Sequence, residues 1–395
     1  MHHSAPTWRR RLRGGVVAVA ALLLTFVATA LRACPFCPAV EPTFADQRAV
    51  ADWAALVEVV ARSDSAGPKG ETVRVRQLLK GDDPPVGGTL EIDDAGEHPV
   101  GALLLVLRAD GGDGAVRWTT RTVDELGYAY CFRTPSPREP MAKRLRYFAP
   151  YLEHRDPAIA ADAFAEFAAA DYDQVAAVAD AFDMARVRQW IADPKVSPRR
   201  KGFYGMVLGL ADDAADRAAN ARLLKKQITA DEDDFRAGFD GLLAGYLLLE
   251  GEAGLDLVDA RFLRADPAKS RPGDTRHAMS ALRFYQEFCD GIPEARLEQS
   301  LRLLLARPEF AAAAIVDLAR WQDWGALDQV VGCWDAPGAD EPATSRAVVG
   351  YLSANPTAEA AAELARLRGE FPDRVAAAES FLELFGGGLP RRRAE

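Results

Sequence analysis

Histidine is scarce in this chain: five among 395 residues, two of them at positions 2 and 3. Only His98, His154 and His277 remain beyond the first thirty residues, so acid–base chemistry near neutral pH has few imidazoles to draw on. Motifs that carry chemistry are missing as well. There is no G-x-S-x-G, no H-E-x-x-H and no Walker sequence, so the nucleophile elbow, the zinc-peptidase helix and the phosphate loop are all excluded. Aromatics make up only 9% of residues against 49% hydrophobic overall. The interior is therefore expected to be filled by alanine and leucine, which favour helices. No K/R-rich patch appears, and basic residues do not interleave with aromatics. No apolar run comparable to Val16–Ala30 occurs later, which leaves no membrane-spanning segment in the remainder.

What is present begins with an export signal. Arg9, Arg10, Arg11 and Arg13 form a basic start, followed by an apolar run from Val16 to Ala30 that ends in Ala28-Thr29-Ala30. A basic segment, a short apolar core and a small-x-small end are the parts of a signal peptide, assigned here to residues 1–30. A cut after Ala33 would instead expose Cys34, and Leu31-Arg-Ala-Cys34 is similar to a lipobox, which makes Cys34 a candidate for lipidation. Removing residues 1–30 takes away four arginines and no acids, moving the formal charge from −10 to −14. So acidic a chain repels nucleic acid and anionic lipid. The expected compartment is periplasmic or extracellular.

Beyond the signal, two regions differ in period. From Trp53 to Phe132, five strand-length segments (WAALVEVVAR, TVRVRQLLKG, TLEID, ALLLVLR and AVRWTTR) are separated by turns rich in Gly, Asp and Pro, with a helix expected near Pro42–Ala51. Five short strands in so little chain predict a small barrel or sandwich over 31–134. PSPREP, residues 135–140, reads as a linker. From Met141 to Phe385 the apolar spacing becomes three to four: Leu145, Phe148 and Leu152 share a face, as do Ile159, Ala163, Phe164 and Phe167. About a dozen such segments, joined by short breakers, predict an α-solenoid of antiparallel helix pairs over 141–385. GGGLPRRRAE, residues 386–395, is expected to be a disordered tail. The fold class is thus α+β multi-domain: a small β-barrel followed by helical repeats.

His154 reads as the end of a helix with Asp156 capping the next. Asp231-Glu-Asp-Asp234 lacks the ligand alternation of an EF-hand and reads as first-turn acids. Gly111-Gly-Asp-Gly114 is a hairpin turn, Gly205 and Gly209 mark a close helix approach, and Trp321 and Trp324 are core.

Five cysteines remain after processing: Cys34, Cys37, Cys131, Cys289 and Cys333. Exported cysteines are usually oxidised, so the favoured scheme joins Cys131 to Cys34 or Cys37 across the barrel. Closing a loop of about a hundred residues contributes roughly 4–5 kcal/mol in the chain-entropy model. The rival is thiol–disulfide exchange by CPFC, although no strand precedes it and no βαβ pattern follows. Haem attachment is excluded because residue 38 is proline, and zinc would have to recruit Cys131 and His98, the latter otherwise an exposed turn residue.

The cysteines ahead of WAALVEVVAR, followed by VRVRQLLKG, GALLLVLRADGGDG and the cysteine of YCFRT, resemble in order the netrin-like modules, relatives of the tissue inhibitors of metalloproteinases. That resemblance implies an OB-like barrel. It would also give Cys34 a zinc-chelating role if it became the first residue, although Cys-x-x-Cys departs from the Cys-x-Cys of those inhibitors. YLEHRDPAIAADAF is similar to HEAT-type repeats. ACPFC, RRKGFYGMVLGL, GLLAGYLLLEGEAGLDLVD and IVDLARWQDW make the whole chain resemble a group of exported planctomycete proteins of unassigned activity.

The function expected from all this is non-enzymatic: an exported binding or scaffold protein, with no catalytic, cofactor or metal residues. Its partner would be a protein or an envelope or extracellular polymer. The alternatives are an oxidoreductase acting through Cys34 and Cys37, and an envelope lipoprotein anchored at Cys34.

Overall fold

The computed structural model describes residues 36–37, 41–62, 70–93, 97–111, 116–230, 236–264, 271–336 and 342–385. The signal segment, Cys34, the acidic stretch 231–234 and the tail 386–395 lie outside them.

A short helix, α1 (Phe44–Val50), leads into five strands: β1 (Trp53–Arg62), β2 (Gly70–Lys80), β3 (Thr89–Asp93), β4 (Leu103–Asp110) and β5 (Val116–Thr122). All five sequence segments therefore form strands. Pairing is antiparallel throughout, in the order β3-β2-β1-β4-β5. The unbroken apolar run of β1 fits its place at the centre, where Trp53 to Val57 are buried on both faces. On the edge strand β5, no residue is fully buried. The β1–β2 register shifts at three points between Ala54 and Ala61, and such bulges bend a strand and sharpen its twist. The result is a curled half-barrel with β3 and β5 as its edges.

The two faces of this sheet pack differently. Trp53, Ala55, Val57, Val59, Val73, Val75, Ile92, Leu104 and Val106 form one buried cluster. Their neighbours of opposite parity, Ala54, Leu56, Leu105 and Leu107, belong to a second core that continues through the helices. The period of two thus sends one set of β1 and β4 side chains into a core of the sheet's own and the other set onto the helical region.

Helices follow through the rest of the described residues: α2 (Glu125–Arg133), α3 (Met141–Phe148), α4 (Pro157–Ala168), α5 (Tyr172–Ala176), α6 (Met184–Ala192), α7 (Pro198–Gly209), α8 (Ala214–Thr229) and α9 (Phe239–Val258). Then come α10 (Pro272–Phe288), α11 (Glu294–Arg302), α12 (Pro308–Trp321), α13 (Leu327–Gly332), α14 (Pro342–Ala354), α15 (Ala358–Glu370) and α16 (Pro372–Phe385). Many start where the sequence says they should: Asp156, Asp183 and Asp213 cap α4, α6 and α8 with their side chains, and proline opens α4, α7, α10 and α12. Packing skips along the chain, α7 against α9, α12 against α14 and α14 against α16. The α7–α9 contact is made by glycine. A Cβ on Gly205 would stand 2.7 Å from Leu242 Cα, and Gly202 and Gly209 face Gly238 and Gly245 in the same way. Leu145, Phe148 and Leu152 are buried in one cluster, but the helix ends at Phe148, so Leu152 reaches the core from beyond it and not from the shared helical face that the spacing predicts. No described helix is long and apolar enough to cross a membrane.

Candidate functional site

The sheet meets the helices on α4. Asp156 starts this helix by accepting from Ala158 N at 2.8 Å, and Pro157 occupies its first turn. Asp162 and Glu166, four residues apart on one face, then enter the core rather than water, 8% and 0% exposed. Both oxygens of Asp162 are used: Phe44 N donates to Oδ1 at 2.6 Å, and the Tyr130 hydroxyl donates to Oδ2. Glu166 pairs with the Arg144 guanidinium from α3. One helix face thereby fastens both α1 and α2 to the array. Burial pushes both carboxyls above their ordinary range, against the bonds that favour the ionised forms.

Around this joint, Arg48 of α1 donates to Thr134 O at 2.7 Å, and the Tyr147 hydroxyl donates to Tyr130 O at 2.8 Å. The rings of Tyr130, Tyr147, Phe148 and Tyr151 pack together beneath it. The stretch 135–140 is held as well, since Pro135 and Pro137 carbonyls accept from Arg48 and Arg144.

Beside Asp162 a cleft of about 330 Å³ opens to solvent. One wall is α4. Arg121 of β5 enters from the sheet, and Ser197, Arg199 and Arg200 enter from the start of α7. Arg200 is oriented by Glu153, which accepts from it at 3.1 Å and from the Tyr204 hydroxyl at 2.8 Å, while its guanidinium lies over the Phe164 ring. Glu153 itself is in the left-handed region, φ 52°, which is unusual for glutamate. The fold thus brings Arg121 of β5 alongside Arg199 and Arg200 of α7, with Glu41 and Asp162 on the same border.

The candidate cysteines are dispersed. Cys37 is half-buried on the helical core, next to Phe36, whose ring packs 4.8 Å from Phe284 of α10. Cys131 sits on α2, not on a strand, and faces Arg48 and Asp162. Among the described residues no two cysteines lie at disulfide distance, and Cys34, the other half of the favoured staple, lies outside them. Burial pushes the Cys131 thiol up to about 12 and the Cys289 thiol up to about 11. Cys333 moves in the same direction, also by burial. Cys289 donates to the Tyr172 hydroxyl at 3.9 Å, and Cys333 to Gln329 O at 3.3 Å. Thiols in such surroundings are poor nucleophiles.

The histidines have structural partners. His98 is not an exposed turn residue: its backbone N donates to Glu71 at 2.6 Å, and its ring Nδ1 lies 3.0 Å from the same buried carboxylate. His154 Nδ1 accepts from Asp156 N at 3.1 Å, at the helix junction where it was expected. Among the described residues no group of three or more His, Cys, Asp or Glu side chains is placed to hold a metal ion. No protein-family model, no curated protein and no solved structure matches the chain.

Two sequence signals point to this region. AADAFAEFAA puts two acids at i and i+4 inside an apolar helix, a pattern that costs free energy unless both are partnered. SPRRKG puts three cations in the first turn of a helix, where the helix dipole disfavours them.

Proposed function

We propose that this chain is an exported, non-enzymatic binding or scaffold protein, in which a netrin-like half-barrel heads an array of HEAT-like helical hairpins. The observation that carries the reading is the continuity of the core. Leu56 and Leu107 of the sheet belong to the same buried cluster as Phe167, Leu282 and Val348 of the helices, so sheet and helices share one core. Packing of alternate helices, α12 on α14 on α16, supports stacked hairpins, an architecture that offers long surfaces to a partner. The buried thiols Cys131 and Cys333 and the half-buried Cys289, all made less acidic by burial, support a structural role for these three cysteines.

The test is thiol chemistry on protein recovered from its native host. Intact mass before and after reduction gives the processed start, any lipid on Cys34 and any disulfide. A disulfide-reduction assay with insulin as substrate then decides the class: no turnover is expected. Multiple turnovers that disappear on Cys37→Ser would overturn the reading in favour of an oxidoreductase.

A further inference from the structure

An acidic protein that assembles three arginines around one cleft has placed charge against its own average. Arg121 arrives from β5, while Arg199 and Arg200 arrive from the first turn of α7, nearly eighty residues later in the chain. The helix gains nothing from them. Cations near a helix N-terminus oppose the dipole by roughly 0.3–1 kcal/mol each, and Lys201 adds a third to the same turn. That turn contains no acidic residue, and Ser197, in the capping position, makes no side-chain capping bond.

Of the carboxylates bordering the cleft, Asp162 accepts from Phe44 N and the Tyr130 hydroxyl and feels the charge of Arg121 without a hydrogen bond to it, and Glu41 is exposed at the rim. Arg200 is pinned through Nη1 by Glu153 and by stacking over Phe164. A guanidinium has five donors in a planar fork, so an arginine held by one nitrogen still presents an edge. Arg121 and Arg199 are exposed. A forked donor matches the two oxygens of a carboxylate or phosphate far better than a point charge would.

We infer that the cleft between β5, α4 and the start of α7 binds a small ligand through an oxyanion head, a carboxylate or a phosphate, held by Arg121, Arg199 and Arg200. The volume, about 330 Å³, suits a molecule of a few to about a dozen heavy atoms and lies at the small end of ligand sites. The apolar wall of Ala158, Ala161 and Ala165 would take its uncharged body. This inference rests on the binding reading above and gives it a ligand class.

The test is calorimetric titration of the full processed chain with succinate, inorganic phosphate and the neutral analogue succinamide. Salt is held near 0.15 M, where charges beyond about 8 Å are screened. Saturable binding of succinate or phosphate, but not succinamide, is expected, and the tighter of the two names the head group. Arg199→Ala and Arg121→Ala should each weaken it at least about tenfold, equivalent to about 1.4 kcal/mol. Both side chains are exposed, so the fold tolerates their loss, and Arg366→Ala on α15 should leave binding unchanged. Absence of saturable binding by either anion, or equal binding by the Arg121→Ala/Arg199→Ala double variant, overturns the site. That failure would leave the insulin assay, and the scaffold reading it tests, untouched; insulin turnover would overturn the reading with the anion titration unaffected.

Discussion

Gly205→Ala separates two opposed effects at a single position. Helix propensity alone says that alanine should stabilise α7 by about 0.8–1 kcal/mol, because glycine surrenders more backbone freedom on folding. The structure says otherwise. The added Cβ would lie 2.7 Å from Leu242 Cα and 2.9 Å from Gly241 O, and both are backbone atoms of α9 that cannot rotate aside. The two helices would have to part, disturbing the Phe203, Met206, Leu243 and Leu247 side chains buried nearby. Overpacking of this kind costs about 1–3 kcal/mol. With rigid backbone as the obstacle, the upper part of that range applies, and the net expectation is a loss of about 2 kcal/mol. Gly369→Ala on α15 is the internal control. Nothing lies within 4 Å of its would-be Cβ, so only propensity acts and stability should rise by about 0.5–1 kcal/mol. Urea unfolding followed by circular dichroism reads both, as shifts of midpoint at constant slope. A Gly205→Ala protein as stable as wild type, or more so, would refute the close-approach argument.

Three further outcomes follow from the joint between sheet and helices. Arg144→Ala leaves Glu166 buried without its cation and should cost about 3–5 kcal/mol in urea unfolding, partly recovered by adding Glu166→Gln. Asp162 has its folded-state pKa raised above the unfolded value of 3.8, so it binds more protons folded than unfolded between the two values. Its contribution is therefore full below 3.8 and lost as pH rises through the folded value, and Asp162→Asn should flatten that decline in stability measured against pH; an unchanged slope would contradict the assignment. Cys131, buried and pushed up to about 12, should resist iodoacetamide at pH 8 in the native protein and react fully in urea, as peptide mapping would report; rapid native labelling would mean that the joint opens.

The strands were legible because β1 to β5 are short, apolar and bounded by turn residues, and a period of two needs no distant information. The helices were legible for the same local reason: Asp156, Asp183 and Asp213 announce their starts. The fate of YCFR was not. The rhythm of the strands places Tyr130 and Cys131 at the end of a barrel, yet they lie on α2, because Asp124 caps a helix there through Gly127 N and Tyr130 has a buried carboxylate to reach. A run of nine residues offers too little periodicity to outweigh the apparent rhythm of the strands before it. Phe36 was likewise invisible as a docking residue, since its partner Phe284 lies almost 250 residues away.

The cleft was hidden for a related reason, and the reason bears on what it does. Its arginines come from β5 and α7, and the two features that could have revealed it, buried acids in AADAFAEFAA and cations in SPRRKG, each look like local mistakes. Each is a cost that a free-standing helix would avoid. Asp162 becomes affordable only because α1 and α2 bring Phe44 N and Tyr130 to it. Arg200 is positioned only because Glu153 adopts a backbone conformation that glutamate seldom takes. The acids are explained by the joint they hold, since they satisfy donors from both halves. Arg121 acts on this joint only through its charge, which Asp162 feels, and among the described residues Arg199 has no ion pair; both are exposed and border the same cleft. A structural cost with a structural return points to folding; Arg199, set against the helix dipole with no such return, points to a ligand.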